Sequence, residues 1–310
     1  CLVAARLVQL QVVEYEHFAE RSQGNRIRIE AVPPIRGLVF DRQGRVIAEN
    51  LPAYQLELIP EQVDDLDETL SRLAVLDLIA AEDIPRLREL SQSGPRFKPV
   101  ALNLRLDDEQ IARFAVEWPR FAGVDFRPRL VRHYPAGEAI AHVVGYVGAM
   151  STRDLETLDT SRYAGTSQTG KTGVESSYES RLHGHSGYRH IVTNARGRHV
   201  PAESRDLQES LPADETALPG ANIYLSIDLD LQKLATEKLR EAIEIGEPED
   251  TDETGESGEA EELIGSRGAV VALDPRNGEI LALVSAPSFD PNLFAIGMST
   301  TQFSALQNDA

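Results

Sequence analysis

The sequence predicts an α+β fold, in which β-hairpins and single strands are interspersed with helices. Two hairpins support this class: residues 38–40 and 46–48 flank a glycine turn, and residues 268–273 and 279–285 flank a turn that contains Asn-Gly. Residues 66–73 carry leucines at helical spacing. At 310 residues the chain is long enough for about two domains.

The first half of the chain contains a connector, a hairpin, a strand and three helices. Residues 22–35 are polar and end in two prolines, which predicts an extended connector before the first hairpin. Residues 54–58 alternate apolar and polar side chains, so we expect a half-buried strand that ends at Pro60. The three helices are expected from Leu66 to Leu73, around Leu87 after Asp83 and Pro85, and after a cap at Asp107 or Asp108.

The second half begins with strand-like pieces at 190–200 and 223–227. Asp228 is placed to cap a helix that Gly246 ends. The apolar face of that helix is expected to consist of Leu231, Leu234, Leu239 and Ala242. Residues 247–262 are rich in Glu and Asp and have no large apolar side chain, which predicts a disordered acidic insertion.

The second hairpin is apolar on both faces of both strands, so we expect its sheet to be covered on both sides. The residues after it, 286–310, have the composition of a loop and no terminating element. A two-stranded sheet is marginal in isolation, and this pattern is that of a domain interrupted partway.

Composition excludes several classes of function. The net charge of −19 argues against a nucleic-acid partner, because phosphates would be repelled. The single cysteine, Cys1, rules out an internal disulfide. Residues 1–13 are apolar but too short and too polar to span a bilayer, and they fit the outer end of a membrane anchor or an amphipathic helix.

Residues 165–173 match two catalytic signatures at once. Gly165, Gly170, Lys171 and Thr172 satisfy the phosphate-loop pattern G-x-x-x-x-G-K-[ST], and Lys171-Thr-Gly173 satisfies the K-T-G triplet of penicillin-interactive enzymes. A phosphate loop needs a buried strand before its first glycine, whereas residues 154–164 predict a short surface helix. The K-T-G chemistry needs a serine nucleophile in S-x-x-K, and none of the four lysines has a serine three residues before it. We therefore favour neither catalytic interpretation of this segment.

Four co-linear blocks resemble the class B penicillin-binding proteins, and their elongation type in particular. The blocks are Arg36-Gly37 with Asp41-Arg42-Gln-Gly44 and Ala48-Glu-Asn50; Arg132-His-Tyr-Pro135 with His142-Val-Val-Gly145-Tyr-Val-Gly148; Gly170-Lys171-Thr-Gly173-Val-Glu175 with Tyr178-Glu179, Leu182-His-Gly184 and Gly187; and the stretch from Gly268 to Asn292. The resemblance covers nearly all of the chain, and the order of its blocks is far more specific than any single motif.

The resemblance implies an elongated, non-catalytic pedestal domain of the dimerisation type, followed by the first elements of a penicillin-binding transpeptidase domain. The implied segments are a truncated anchor at 1–13, a juxtamembrane connector at 14–35, the pedestal at 36–215, and an incomplete transpeptidase domain at 216–310. The catalytic serine would lie beyond Ala310, so these residues would act as a scaffold and would not acylate.

The resemblance further implies a single-pass inner-membrane protein with its body in the periplasm. Its implied partners are a SEDS-type glycan polymerase and rod-complex scaffold proteins, with peptidoglycan stem peptides as the substrate of the full-length protein. No cofactor is implied.

Most of the motif residues have a simpler structural interpretation than partner binding. For Arg36, Asp41, Arg132, Glu175 and Tyr178 we favour a buried polar network that fixes the fold, because buried charges persist when they are paired. Turn positions with positive φ account for Gly44, Gly173 and Gly184. Lys171 is expected to form a structural ion pair, with Glu175 as the candidate partner.

His183, His185, His190 and His199 are close in sequence, but their spacing matches no common zinc pattern, so no metal site is expected. Two other functions stay open: a structural envelope protein with no catalytic half, and a nucleotide-binding protein that uses residues 165–172.

Overall fold

The structure, a computed structural model, describes residues 27–93, 96–97, 99–159, 161–192, 212–246 and 267–297. The proposed anchor at 1–13 and the acidic insertion at 247–262 lie outside the described residues. Within the described part, no helix is long and apolar enough to cross a bilayer.

Two compact units divide the chain. The first takes the described residues of Cys1–Pro34, Asp159–Thr166 and His185–Leu218. Its main feature is an antiparallel pair of strands, β1 (Ile27–Val32) and β8 (Gly187–Val192). The residues predicted as an extended connector are thus extended, but they are hydrogen-bonded to a partner strand from 155 or more residues later in the chain.

The second unit takes the described residues of Ile35–Leu158, Ser167–Gly184 and Pro219–Ala310. Its largest sheet has the order β4-β3-β2-β9, and β5 also pairs with β3. The strands are β2 (Val39–Phe40), β3 (Val46–Leu58), β4 (Val100–Leu106), β5 (Val124–His133) and β9 (Ile223–Tyr224). Two-stranded pairs are formed by β6 (Val147–Ala149) with β7 (Gln168–Gly170), and by β10 (Gly268–Leu273) with β11 (Ile280–Ala286).

The helices of this unit confirm the predicted helix starts near Leu66, Asp83, Asp107 and Asp228. They are α1 (Leu66–Val75), α2 (Ile84–Ser93), α3 (Asp108–Glu117), α4 (Ala141–Val144), α5 (Thr152–Thr157), α6 (Gly173–Ser177), α7 (Glu179–Leu182), α8 (Leu229–Gly246) and α9 (Pro291–Ile296). Asp107 caps α3 in a reciprocal capping box with Gln110, and Asp228 accepts hydrogen bonds from the first N–H groups of α8. The predicted turn between β2 and β3 forms as expected.

β3 is one long strand that supplies residues to two hydrophobic cores. Leu56 and Leu58 pack in the core built with α1, α2 and α3, whereas Ile47 and Ala48 pack in a second core with Tyr134. The sequence predicted two separate strands here, at residues 46–48 and 54–58. The structure joins them, since β5 pairs with β3 from Glu49 to Leu58 without a break.

The second core contains residues from both sides of the predicted boundary at 215/216. Ile227 and Ala295 are buried beside Val39 and Tyr134. Residues 219–297 therefore pack, where they are described, in the same unit as the first two-thirds of the predicted pedestal. The position of the domain boundary remains a prediction.

Three sequence-based expectations are wrong. The second hairpin is covered on one face by α8, but Val271 and Leu273 on its other face are 56% and 57% exposed. On α8, Leu234 was expected on the buried face but is 51% exposed. Gln232 is buried instead, because the side of α8 that packs on β11 carries Gln232, which bonds to Leu283. Residues 291–296 form helix α9 rather than a loop, with Asp290 as its cap and Pro291 in its first turn.

Candidate functional site

Four of the predicted site residues form a buried group that we call the ionic cluster: Arg36, Arg132, Glu175 and Glu179. Arg36 lies just before β2, Arg132 near the end of β5, and the two glutamates in α6 and α7. The cluster joins segments up to 143 residues apart in the sequence. Two arginines face two glutamates, so the formal charges cancel, as buried ionic groups require.

Glu175 is the centre of the ionic cluster and is fully buried. Its Oε2 accepts a hydrogen bond of 2.7 Å from Arg36 Nε, and its Oε1 accepts one of 2.7 Å from Arg132 Nε. The Tyr134 hydroxyl lies 3.3 Å from the same Oε1. Both carboxylate oxygens are therefore occupied by donors, and this acid has no free position for proton transfer to a substrate.

Most of the remaining donors of the arginines are used by neighbouring groups, although Arg132 Nη2 is buried without a hydrogen-bond partner. Arg36 Nη2 donates to Glu179 Oε2 at 2.5 Å, and the backbone N–H of Gly170 donates to the same oxygen at 3.0 Å. Arg132 Nη1 donates to the carbonyl of Gly37 and to Asn50 Oδ1. Burial would lower the pKa of Arg36, but Glu175 and Glu179 outweigh burial and raise that pKa.

Tyr134 links the ionic cluster to strand β6. Its hydroxyl accepts a hydrogen bond of 3.0 Å from Val147 N while it faces Glu175. Burial, reinforced by the negative charge of Glu175, raises the pKa of Tyr134 above its usual range. The hydroxyl therefore stays protonated and can act as a donor to Glu175.

Glycines permit the close approaches around the ionic cluster. Gly145 has φ +74°, and a Cβ there would lie 2.0 Å from the carbonyl oxygen of Thr172. A Cβ on Gly170 would lie 2.2 Å from the carbonyl oxygen of Glu175. The predicted positive φ is confirmed at Gly44, Gly173 and Gly184.

A second, separate set of contacts surrounds Asp41. Its Oδ1 accepts hydrogen bonds from Gln43 N and Arg45 N, and its Oδ2 accepts one from Arg45 Nε, all at 2.7–2.8 Å. Burial would raise the pKa of Asp41, but the hydrogen bonds from Arg45, Gln43 and Leu229 outweigh it and lower that pKa. Asp41 thus holds the hairpin turn to the start of α8.

The predicted single network is therefore only partly correct. Arg36, Arg132 and Glu175 lie together, but Asp41 belongs to the turn just described and Tyr178 is 43% exposed. The half-exposed Arg42 faces Glu279 at 3.5 Å, and His142 Nε2 lies 3.0 Å from the carbonyl oxygen of Pro287. Glu179 belongs to the ionic cluster, although the prediction had not included it in the network.

Lys171 forms an ion pair, but Glu175 is not its partner. Its Nζ lies 2.5 Å from Asp154 Oδ2, where Asp154 also caps α5 in a box with Ser151. Both oxygens of Glu175 are already held by arginines, which excludes the expected pair. The hydrogen bonds from Lys171 and Ser151 lower the pKa of Asp154 to about 2.

Replacing Asp154 by asparagine is expected to remove a pH-dependent part of the stability. The folded pKa of about 2 lies below the unfolded value of about 3.9, so this carboxylate stabilises the fold above pH 4 and less as the pH falls toward 2. Because both side chains are partly exposed, we expect a loss of about 1 kcal/mol at pH 7 that falls to about half near pH 3 and approaches zero below pH 2. Urea unfolding followed by the fluorescence of Trp118 measures it.

The control for this prediction is Lys171→Met, which removes the same pair from the other side. This variant should lose a similar amount of stability at pH 7. Most of the pH dependence of stability that Asp154 causes should also disappear, because the hydrogen bond from Lys171 is the main cause of its low pKa. A loss in Asp154→Asn that is equal at pH 7 and pH 3 would contradict the assignment.

The phosphate-loop match does not form a phosphate loop. Three of its residues, Gln168–Gly170, are strand β7 and pair with β6. The helix after it, α6, has only five residues, and the Lys171 ammonium is engaged by Asp154. Among the described residues, no group of three or more His, Cys, Asp or Glu could hold a metal ion; His199 lies outside them.

Two members of this site were missed by the sequence analysis. Asn50 and Tyr134 lie inside the quoted motifs, but neither was taken as a site residue. Asn50 bridges the site by accepting from Arg132 and donating to the carbonyl of Arg36. The available signal was their position: Asn50 and Tyr134 can form hydrogen bonds and lie within motifs that also contain charged residues.

Comparisons with known proteins show the family of the chain. The family model described as penicillin-binding protein dimerisation domain matches residues 31–225, and the penicillin-binding protein transpeptidase domain matches residues 268–310. The chain is 37% identical over 98% of its length to the peptidoglycan D,D-transpeptidase MrdA of Haemophilus influenzae, and 38% identical over 99% to that of Escherichia coli. It spans 42% and 44% of the length of these relatives.

Solved structures show the same fold. A complex between penicillin-binding protein PBP2 and MreC from Helicobacter pylori matches with a TM-score of 0.65 at 24% identity, over 91% of this chain and 47% of that one. A peptidoglycan synthase complex that coordinates polymerisation and crosslinking matches with a TM-score of 0.56 at 29% identity, over 99% of this chain and 47% of that one. The chain therefore belongs to the penicillin-binding proteins, with their dimerisation domain and a part of their transpeptidase domain.

Proposed function

We propose that the protein of which this chain is a part is a D,D-transpeptidase that cross-links peptidoglycan during cell elongation and maintains rod shape. The observation that carries the proposal is the identity of 37–38% to MrdA transpeptidases over 98–99% of the chain. The activity is proposed for the whole protein, because the chain spans less than half of those relatives.

The proposed reaction is a double acyl transfer. A serine oxygen attacks the carbonyl of the penultimate D-alanine, the terminal D-alanine leaves as a free amine, and a neighbouring stem-peptide amine then takes the acyl group from the serine. No lysine among these 310 residues has a serine three positions before it; those positions hold Pro95, Gln168, Asp230 and Ala235. We propose that the nucleophile comes from outside these residues and that the chain alone is inactive.

The proposed role of the chain itself is that of a scaffold and partner platform. The ionic cluster supports a structural role, because its charged side chains are buried and paired with each other, and protein groups donate to its carboxylate oxygens. A catalytic acid or base would instead need access to a substrate.

We further propose that the platform serves a membrane-bound glycan polymerase and rod-complex scaffold proteins, with the protein anchored in the inner membrane and its body in the periplasm. The similarity to a chain of a peptidoglycan synthase complex at 29% identity supports the polymerase as a partner. The scaffold partners and the location rest on the resemblance to the family.

Labelling with a fluorescent penicillin tests the assignment of catalysis. The product of the natural gene is expected to be labelled covalently, and labelling should disappear on prior treatment with unlabelled penicillin. Residues 1–310 alone are expected to stay unlabelled. Labelling of residues 1–310 would overturn the proposed scaffold role, and a natural gene product that is never labelled would favour a structural envelope protein.

A further inference from the structure

Two amide side chains hold the turn that follows β5 to the residues around β11 and α9. Gln232 of α8 and Asn292 of α9 both bond to backbone groups in this turn, which runs from Tyr134 to Ala139. We call these two side chains, with their backbone partners, the amide clasp.

Asn292 binds the backbone of Tyr134 on both its donor and its acceptor side. Its Oδ1 accepts a hydrogen bond of 2.9 Å from Tyr134 N, and its Nδ2 donates to the carbonyl of Tyr134 at 3.1 Å. The second Nδ2 hydrogen is directed to Asp290 Oδ1 at 2.8 Å. The amide thus bonds to both the N–H and the carbonyl of one residue, as the backbone of a neighbouring β-strand would.

Gln232 acts in the same way at the other end of the turn. Its Oε1 accepts from Leu283 N at 2.8 Å, and its Nε2 donates to the carbonyls of Leu283 and Ala139, each at 2.7 Å. The side chain is buried, so an apolar residue in its place would leave three backbone groups without partners.

Further contacts fix the segment 287–296 to the same surroundings. Ser288 Oγ donates to the carbonyl of Glu138, and Gln168 Nε2 donates to the carbonyl of Ala295. The ring of Tyr146 stacks on Phe294, with centroids 4.0 Å apart. Residues 287–296 are therefore attached by several side chains that bond to backbone.

The amide clasp and the ionic cluster meet at one residue. The backbone of Tyr134 binds Asn292, and the hydroxyl of Tyr134 contacts Glu175 and Val147. Glu175 makes none of the hydrogen bonds of the segment 287–296 described above. A change at Glu175 can reach that segment through the position of the Tyr134 ring and backbone.

We propose that Asn292 is a positioning residue that couples the ionic cluster to residues 287–296 through Tyr134, so that loosening the ionic cluster lowers the local stability of that segment. Coupling of this kind requires that a change in the ionic cluster shifts the local unfolding equilibrium of residues 287–296. The proposal stands on the contacts above and does not depend on the proposed transpeptidase activity.

Hydrogen–deuterium exchange of the 310-residue chain tests the coupling. Tyr134→Phe keeps the backbone bonds to Asn292 and removes the hydroxyl contacts with Glu175 and Val147. We expect exchange in residues 287–296 to become about tenfold faster in this variant and in Glu175→Gln. Asn292→Asp, which places a carboxylate against the Tyr134 carbonyl, should accelerate exchange in the same segment and around Val147.

Gln92→Glu, on the exposed side of α2, is the matched control and should leave all of these rates unchanged. Tyr134→Phe is mild enough to keep the chain folded if Glu175→Gln does not fold. The proposal is overturned if Tyr134→Phe changes exchange only near residues 147 and 175. It is also overturned if Asn292→Asp changes exchange only within residues 287–296.

Discussion

Glu175→Gln is expected to lower the free energy of unfolding by about 3–5 kcal/mol, the typical cost of removing one partner from a buried ion pair. The substitution keeps the volume of the side chain but leaves Arg132 and Arg36 with less negative charge around a fully buried position. Urea unfolding, followed by the fluorescence of the single tryptophan Trp118, measures the loss.

The matched control is Glu138→Gln, which removes an ion pair with Arg240 on the surface. These side chains are 49% and 62% exposed, and we expect a change below about 1 kcal/mol. If the two variants lost similar amounts of stability, the ionic cluster would not be a principal support of the fold.

Gly145→Ala is expected to cost at least about 3 kcal/mol, because strain and a steric clash act together. Gly145 has φ +74° and ψ −151°, a region that only glycine adopts readily, and a Cβ would lie 2.0 Å from the carbonyl oxygen of Thr172. The same urea titration measures the effect.

Gly44→Ala separates the two causes. Gly44 has φ +82°, but a Cβ there would have nothing within 4 Å, so only the conformational cost of about 1–2 kcal/mol is expected. Equal losses in the two variants would show that the approach of Gly145 to Thr172 is not tight in solution.

Local elements were predictable from the sequence where a short-range signal exists. The cap of α3 at Asp107, the turn between β2 and β3 and the start of α8 after Asp228 all depend on residues within a few positions of each other. The cap of α9 has the same kind of signal in Asp290-Pro291, although residues 286–310 were predicted as a loop. Strand β4 also alternates in sequence and was missed, whereas Pro128 weakens the pattern of β5.

The sequence predicted which residues form the candidate site better than it predicted which of them form ion pairs with each other. Motif resemblance singled out Arg36, Arg132 and Glu175, and the structure brings them together. It could not say that Lys171 would bond to Asp154, 17 residues away, in preference to Glu175, four residues away. The partner of a charged side chain depends on which other charges the chain path brings near it, and local spacing does not report that.

By itself, the sequence determined the family, the α+β class and most helix starts. Each motif and each capping signal consists of residues only a few positions apart, so it can be recognised without the tertiary structure. Only the tertiary structure decided which faces are covered, which charges are paired and how Asn292 and Gln232 bond to the backbone after β5. The physical reason is that the free energy of such contacts depends on burial and geometry that no local pattern contains; the bonds of Asn292 and Gln232, for example, join residues 51–158 positions apart.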